Sequence, residues 1–84
     1  MPRIKSEEFL NRISRGDFRA VKLKGLQGGN FYILLEGSDG TFILENSNSI
    51  IKEYPKADHA LTWLKRMTGL KEIVVDIELW RNDA

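Results

Sequence analysis

The sequence predicts an α+β two-layer sandwich in which two helices cover one face of a three- to five-stranded, mainly antiparallel sheet. Three observations lead there. The stretch from Tyr54 to Gly69 marks both ends of one helix, the apolar period falls from about 3.6 to 2 after Phe18, and the run from Glu72 to Trp80 alternates strictly. The order is helix, β-meander, helix, strand, and elements with one apolar face each pack as two layers. Division of 84 residues would leave two pieces too small to bury a core, so residues 1–84 read as one domain.

The first helix is expected from about Glu7 to Arg15. Ser6 is placed to cap it, Glu7 and Glu8 suit its positive end, Arg12 and Arg15 its negative end, and Gly16 follows. Phe9, Leu10 and Ile13 form the stripe to be buried. Arg12 and Arg15 fall on the other side, with Glu8 four residues before Arg12 and within pairing reach.

From Phe18 onward Val21 and Leu23 point one way and Lys22 and Lys24 the other. Gly25-Leu26-Gln27-Gly28-Gly29-Asn30 interrupts this strand. Phe31 to Glu36 resumes, with Phe31, Ile33 and Leu35 on one face and Tyr32, Leu34 and Glu36 on the other. Ser38-Asp39-Gly40 is a tight turn in which Gly37 and Gly40 supply positive φ, and Thr41 to Glu45 is the next strand. Asn46 to Ser49 turns again, and Ile50 to Tyr54 completes the meander as a short fourth strand.

In the second helix Pro55 suits the approach, Asp58 complements the amino-terminal dipole, and Gly69 sits where a left-handed cap belongs. At about 100° per residue, Ala57, Ala60, Leu61, Leu64 and Met67 share one arc, with Leu61 and Leu64 at its centre. The last strand, Glu72 to Trp80, should bury Ile73, Val75, Ile77 and Leu79 and show Val74, Asp76, Glu78 and Trp80 to solvent. Residues 81–84 read as a frayed tail.

The chain has no cysteine, which removes disulfides, thiolate metal sites and a cysteine nucleophile. No leader-like apolar segment opens it and no run approaches the ~18 apolar residues of a membrane span, so a cytoplasmic protein without membrane contact is expected. Net charge is +1 but unevenly spread. Residues 1–24 carry seven cations against three anions, and residues 25–49 carry only Glu36, Asp39 and Glu45.

Side chains that could carry chemistry have plainer readings. His59 is the sole histidine, and Asp58 beside it points about 100° away, so it cannot orient the imidazole. Asp76 and Glu78 share a strand face as solvated charges that keep an edge from aggregating. The glycine-rich loop lacks the Gly-Lys-Ser/Thr and the following helix of a phosphate cradle. No enzyme, metal, cofactor or small-molecule substrate is expected.

Two surfaces are candidates for binding. Lys22 and Lys24 share a strand face that Tyr32 can join from the next strand, giving charge with a stacking ring; Arg12, Arg15 and Arg19 can add phosphate contacts. Glu36 and Glu45 fall on that face too. The second candidate is a protein interface at Trp80, with Val74 and Trp63, because an outward tryptophan marks a partner surface. The competing reading folds Trp80 back onto the first helix.

The order of a Gly-Ser-Asp-Gly turn, a Thr-Phe-Ile-Leu-Glu strand and then Ile-Lys-Glu-Tyr-Pro-Lys-Ala-Asp-His-Ala-Leu-Thr-Trp-Leu-Lys-Arg-Met-Thr-Gly resembles small partition-associated accessory proteins of plasmids and other mobile elements. The resemblance covers about Phe31 to Trp80 and implies a non-enzymatic role in maintaining or transferring extrachromosomal DNA. It assigns no functional residues. The expectation is a small binding or adaptor protein, self-associating as a homodimer or holding another protein, with a direct nucleic-acid binder as the alternative.

Overall fold

The computed structural model describes residues 1–81. Its elements are β1 (Arg3–Lys5), α1 (Ser6–Arg15), β2 (Ala20–Gly25), β3 (Phe31–Gly37), β4 (Gly40–Glu45), β5 (Glu53–Tyr54), α2 (Ala57–Thr68) and β6 (Val74–Asp76). One mixed sheet carries the strand order β1-β4-β3-β2-β6, with β5 on β3. The antiparallel meander of β2, β3 and β4 is as the alternation predicts. Its two flanks are parallel additions, β1 on β4 and β6 on β2, so the sheet is less antiparallel than expected and has six strands.

Strand β1 has no counterpart in the sequence reading. Three residues are too few to show a period, yet Ile4 pairs with Leu44 and is buried. Because β1 runs straight into α1, the position before the helix is Lys5 in extended conformation, and no side chain caps it; Ser6 is already helical. The helix ends as expected. Gly16 takes φ 71°, and its N–H donates to the Ile13 carbonyl at 3.1 Å.

The buried faces of β2, β3 and β4 meet the helices through Val21, Leu23, Phe31, Ile33, Leu35 and Leu44, joined by Ile4, Phe9, Tyr54, Ala60 and Leu64. The arc of α2 is displaced from its expected centre. Ala60 and Leu64 are buried, but Leu61 is 40% exposed and Met67 46%. Trp63, on the other side of the arc, packs against Phe9 at 6.0 Å, so α2 rolls towards α1 and leaves Leu61 facing away.

Arg12 requires a further correction. It lies about 60° around the wheel from Phe9, on the flank of the apolar stripe and not opposite it. Burying Phe9 therefore carries Arg12 inward, to 5% exposure. Its Nη2 donates to Asp39 Oδ1 at 2.8 Å, its Nε to the Asp17 carbonyl at 3.1 Å, and its guanidinium lies 5.2 Å from the Phe42 ring centre. Glu8 pairs instead with Arg15, at 3.7 Å. Gly37 does not take positive φ but leaves room for this approach, since an added Cβ would crowd the side-chain ends Arg12 Nη2 and Asp39 Oδ1; Gly40, at φ 128°, does supply the left-handed turn position.

The core contains one orphaned polar atom. The Tyr54 hydroxyl is buried with no hydrogen-bond partner among the described residues, and burial pushes the phenol up to about 12.

Two stability predictions follow from this packing. Leu64→Ala should cost about 2 to 5 kcal/mol in urea unfolding and Leu61→Ala less than about 1 kcal/mol. Tyr54→Phe should be neutral or stabilising, since it removes a buried hydroxyl with no partner. The folded phenol titrates above its ordinary value, so its share of stability is intact below pH 10 and lost as pH rises towards 12. Unfolding followed across that range should show an alkaline loss in the parent chain that is reduced in Tyr54→Phe.

Candidate functional site

Two surfaces remain uncovered by this architecture, and each holds one group of residues singled out from the sequence. The first is the sheet face away from the helices. Strand register puts Lys22 beside Leu34 and Val74, and Lys24 beside Tyr32 and Asp76. Lys22, Lys24 and Tyr32 are thus brought together as expected. The acids are brought there too: Lys22 Nζ lies 3.2 Å from Glu36 Oε1, and Glu53 is the register partner of Tyr32. Arg3 and Lys5 join the same face through β1, and Glu45 opposes Lys5. Four cations therefore share the face with Glu36, Glu45, Glu53 and Asp76, leaving it nearly balanced in charge.

The three arginines do not gather with those lysines. Arg12 is held inside by Asp39, and the Arg12 guanidinium holds the Asp39 carboxyl below the usual carboxylate range. Arg15 is exposed on α1 beside Glu8 and Asp17, and Arg19 is exposed just before β2.

The second surface surrounds β6. Glu72 to Trp80 does not form one continuous strand. Pairing covers Val74–Asp76, after which the Glu78 N–H donates to Asp76 Oδ1 at 3.0 Å and the Trp80 N–H to the Ile77 carbonyl at 3.1 Å. This aspartate-initiated turn swings the chain across the glycine-rich loop. There the Arg81 N–H donates to the Leu26 carbonyl and the Gly28 N–H to the Arg81 carbonyl, so Arg81 is tied down, not frayed; residues 82–84 lie outside the described residues.

Trp80 anchors that crossing. Its Nε1–H donates to the Gly29 carbonyl at 3.1 Å, and its ring lies 6.0 Å from Phe31 at an interplanar angle of 23°. It does fold back, but onto the β2–β3 loop and not onto α1. Gly25 makes the approach feasible, since a Cβ there would stand 2.6 Å from Trp80 Cβ. Trp80 nevertheless stays 37% exposed.

The buried face expected for the last strand is largely open. By register Val75 lies beside Leu23 on the helix side, yet it is 47% exposed, and Ile77 and Leu79 are 60% and 52% exposed. Only Ile73 packs partly onto the core. The helices explain this, because the main contacts of α1 and α2 with the sheet are with β1, β4, β3 and β5 and not with β6. Leu61 and Leu70 line an open cleft with Ile73, and Leu79 lines another with Leu26 and Gln27. Val74 is half exposed on the opposite face.

Of the proposed interface set, Val74 and Trp80 flank this surface, whereas Trp63 lies between the helices. There Lys52 Nζ sits 4.1 Å from the Trp63 ring centre and 5.6 Å from that of Tyr54, and burial lowers the lysine's pKa. The exposed Leu61, Val75, Ile77 and Leu79 were missed as surface residues. Alternation identifies one apolar face but not whether a helix reaches it.

His59 is exposed on α2, and among the described residues no three His, Asp or Glu side chains gather as a metal site requires. No described helix is long and apolar enough to cross a membrane. Compared with known proteins, the chain matches no family model, no curated protein and no solved structure.

The anchoring of Trp80 can be tested by Gly25→Ala, which must displace the indole from its seat. In a Trp63→Phe background the fluorescence of Trp80 should shift to the red, and stability should fall by about 1 to 3 kcal/mol. An unshifted spectrum would mean that the indole is not seated on Gly25.

Proposed function

We propose that this protein is a small non-enzymatic binding or adaptor domain that acts through protein–protein contacts. The observation that carries the reading is the exposed apolar run Val75, Ile77 and Leu79 beside Trp80, which starts at Val75 on the side of the sheet that helices cover elsewhere. Four large apolar side chains exposed close together along one short segment mark a contact surface more than the same side chains scattered singly would. Trp80 suits such a contact because its hydrogen bond and ring stacking hold it in place before binding, which lowers the entropy lost on association. The resemblance over Phe31 to Trp80 supports a role accessory to the maintenance of plasmid or mobile-element DNA.

A second reading, direct nucleic-acid binding, draws on the Lys24–Tyr32 register pair on the uncovered face with Lys22 on the same strand, while Arg15 and Arg19 are exposed but stand apart from them. Pairing of Lys22 with Glu36 and the enclosure of Arg12 leave fewer cations for phosphate than the sequence offers, which favours the protein-contact reading.

The two readings separate in one experiment. A photo-reactive residue is placed at Ile77 or at Lys24 and irradiated in cells of the source organism. Protein adducts concentrated at position 77 are expected; nucleic-acid adducts at position 24 would favour the second reading. For that reading, oligonucleotide anisotropy should show log affinity falling against log salt with a slope of roughly −2 to −4, flattened by joint Lys22→Ala and Lys24→Ala. Tyr32→Ala should then cost about 1 to 3 kcal/mol for single strands. No binding at high micromolar protein would remove nucleic acid as the ligand.

A further inference from the structure

We infer that the partner of the β6 edge is a second copy of this chain, paired antiparallel through β6 about a two-fold axis at Val75. The inference rests on the protein-contact reading above and names the occupant of that surface. Three observations carry it.

The first is the difference between the two ends of the sheet. The β1 end carries exposed Arg3 and Lys5, charges of the kind that discourage strand addition. The β6 end reads Val-Val-Asp, with Val74 and Val75 half exposed and no strand beyond it among the described residues. Its unpaired backbone is a template for another strand.

The second is self-complementarity. Residues directly opposite in an antiparallel pair point to the same face, so a two-fold axis must pass through one residue position. With the axis at Asp76 the two carboxylates meet, and with the axis at Val74 Glu72 opposes Asp76 of the other copy. With the axis at Val75, Asp76 opposes Val74 and no like charges meet within β6. Ile73 and Ile77 border β6 at its two ends, so each Ile73 is brought close to the other copy's Ile77, and the exposed apolar side chains of the two copies gather around the axis. The turn begun by Asp76 takes Glu78 out of the strand before it could meet Glu72 of the second copy.

The third is area. Val74, Val75, Ile77, Leu79, Trp80 and Leu61 together present on the order of 500 Å² of apolar surface per copy. Two copies would bury at most roughly 1,000 Å², about the lower bound for a specific interface, so the dimer is reversible and not obligate.

Sedimentation velocity of the full chain tests this from about 1 μM to 1 mM, where a reversible dimer of this size must be populated. The expected result is a mass rising from one copy to two, with Ile77→Glu raising the dissociation constant at least about 10-fold. Ile77 is too exposed for that substitution to unfold the chain, and an unchanged melting temperature verifies it. A second measurement needs no loss of stability. The chain has no cysteine, so Val75→Cys introduces a single thiol at the proposed axis. Under mild oxidation it should form disulfide-linked dimers at least about 10-fold faster than His59→Cys or Lys24→Cys, because only the axial pair brings its Cβ atoms to disulfide range. A mass that stays monomeric to about 1 mM, or Val75→Cys cross-linking no faster than the controls, overturns self-pairing. In that event, photo-adducts to other proteins at Ile77 would leave the protein-contact reading standing, and their absence would remove both.

Discussion

Coverage is the constraint from which the rest of this structure follows. Two helices packed side by side span about 20 Å, since their axes lie about 10 Å apart and each covers as much again. Strands repeat every ~4.8 Å, so two helices shield about four of them. The hydrogen-bonded path here contains five. One end of the sheet must remain open on the helix side, and because Trp63 and Phe9 draw the helices together over β3 and β4, that end is β6.

What holds the helix layer in that off-centre position is partly polar. Arg12 ties α1 to the β3–β4 turn through Asp39 and to the following loop through Asp17, while its guanidinium lies over Phe42. The carboxylates stay solvent-accessible and the guanidinium does not, so the link fixes geometry more than it adds energy. A methionine in place of Arg12 could fill similar volume but could not choose the turn it contacts. Lys52 makes a comparable link to α2, its ammonium lying over the Trp63 ring.

Much of this was legible in the sequence, wherever a local pattern decides the outcome. Gly16 and Gly69 terminate their helices in left-handed conformation, the alternation of Val21 with Leu23 and of Phe31 with Leu35 assigns the buried face, and the Ser38-Asp39 turn closes its hairpin. The failures share one physical origin, which is dependence on distant partners. Ile4 becomes a strand residue only because β4 accepts it, and Val75 remains half exposed only because no helix arrives. Arg12 was misplaced for a smaller reason: a flank position 60° from Phe9 can go either way, and the acid that draws it inward comes from another hairpin. For the candidate sites, register brought Lys22, Lys24 and Tyr32 together as read from the strands, while the anchoring of Trp80 on Gly29 depended on a turn that alternation does not encode.

The parallel pairing of the terminal strands also has a kinetic meaning. The meander of β2, β3 and β4 closes through short connections, so its contacts form early and at low entropic cost. By contrast, Arg3 must find Ile43, 40 residues away, and Val74 must find Lys22, 52 residues away. Both flanking strands are therefore late arrivals in folding and the first to open, and amide exchange should be faster at Ile4 and Val75 than at Ile33. During synthesis β6 emerges well after the meander, so the outer edge of β2 waits unpaired until residues 74–76 have left the ribosome. Lys22 and Lys24 on that waiting strand discourage other chains from occupying the vacancy before β6 arrives.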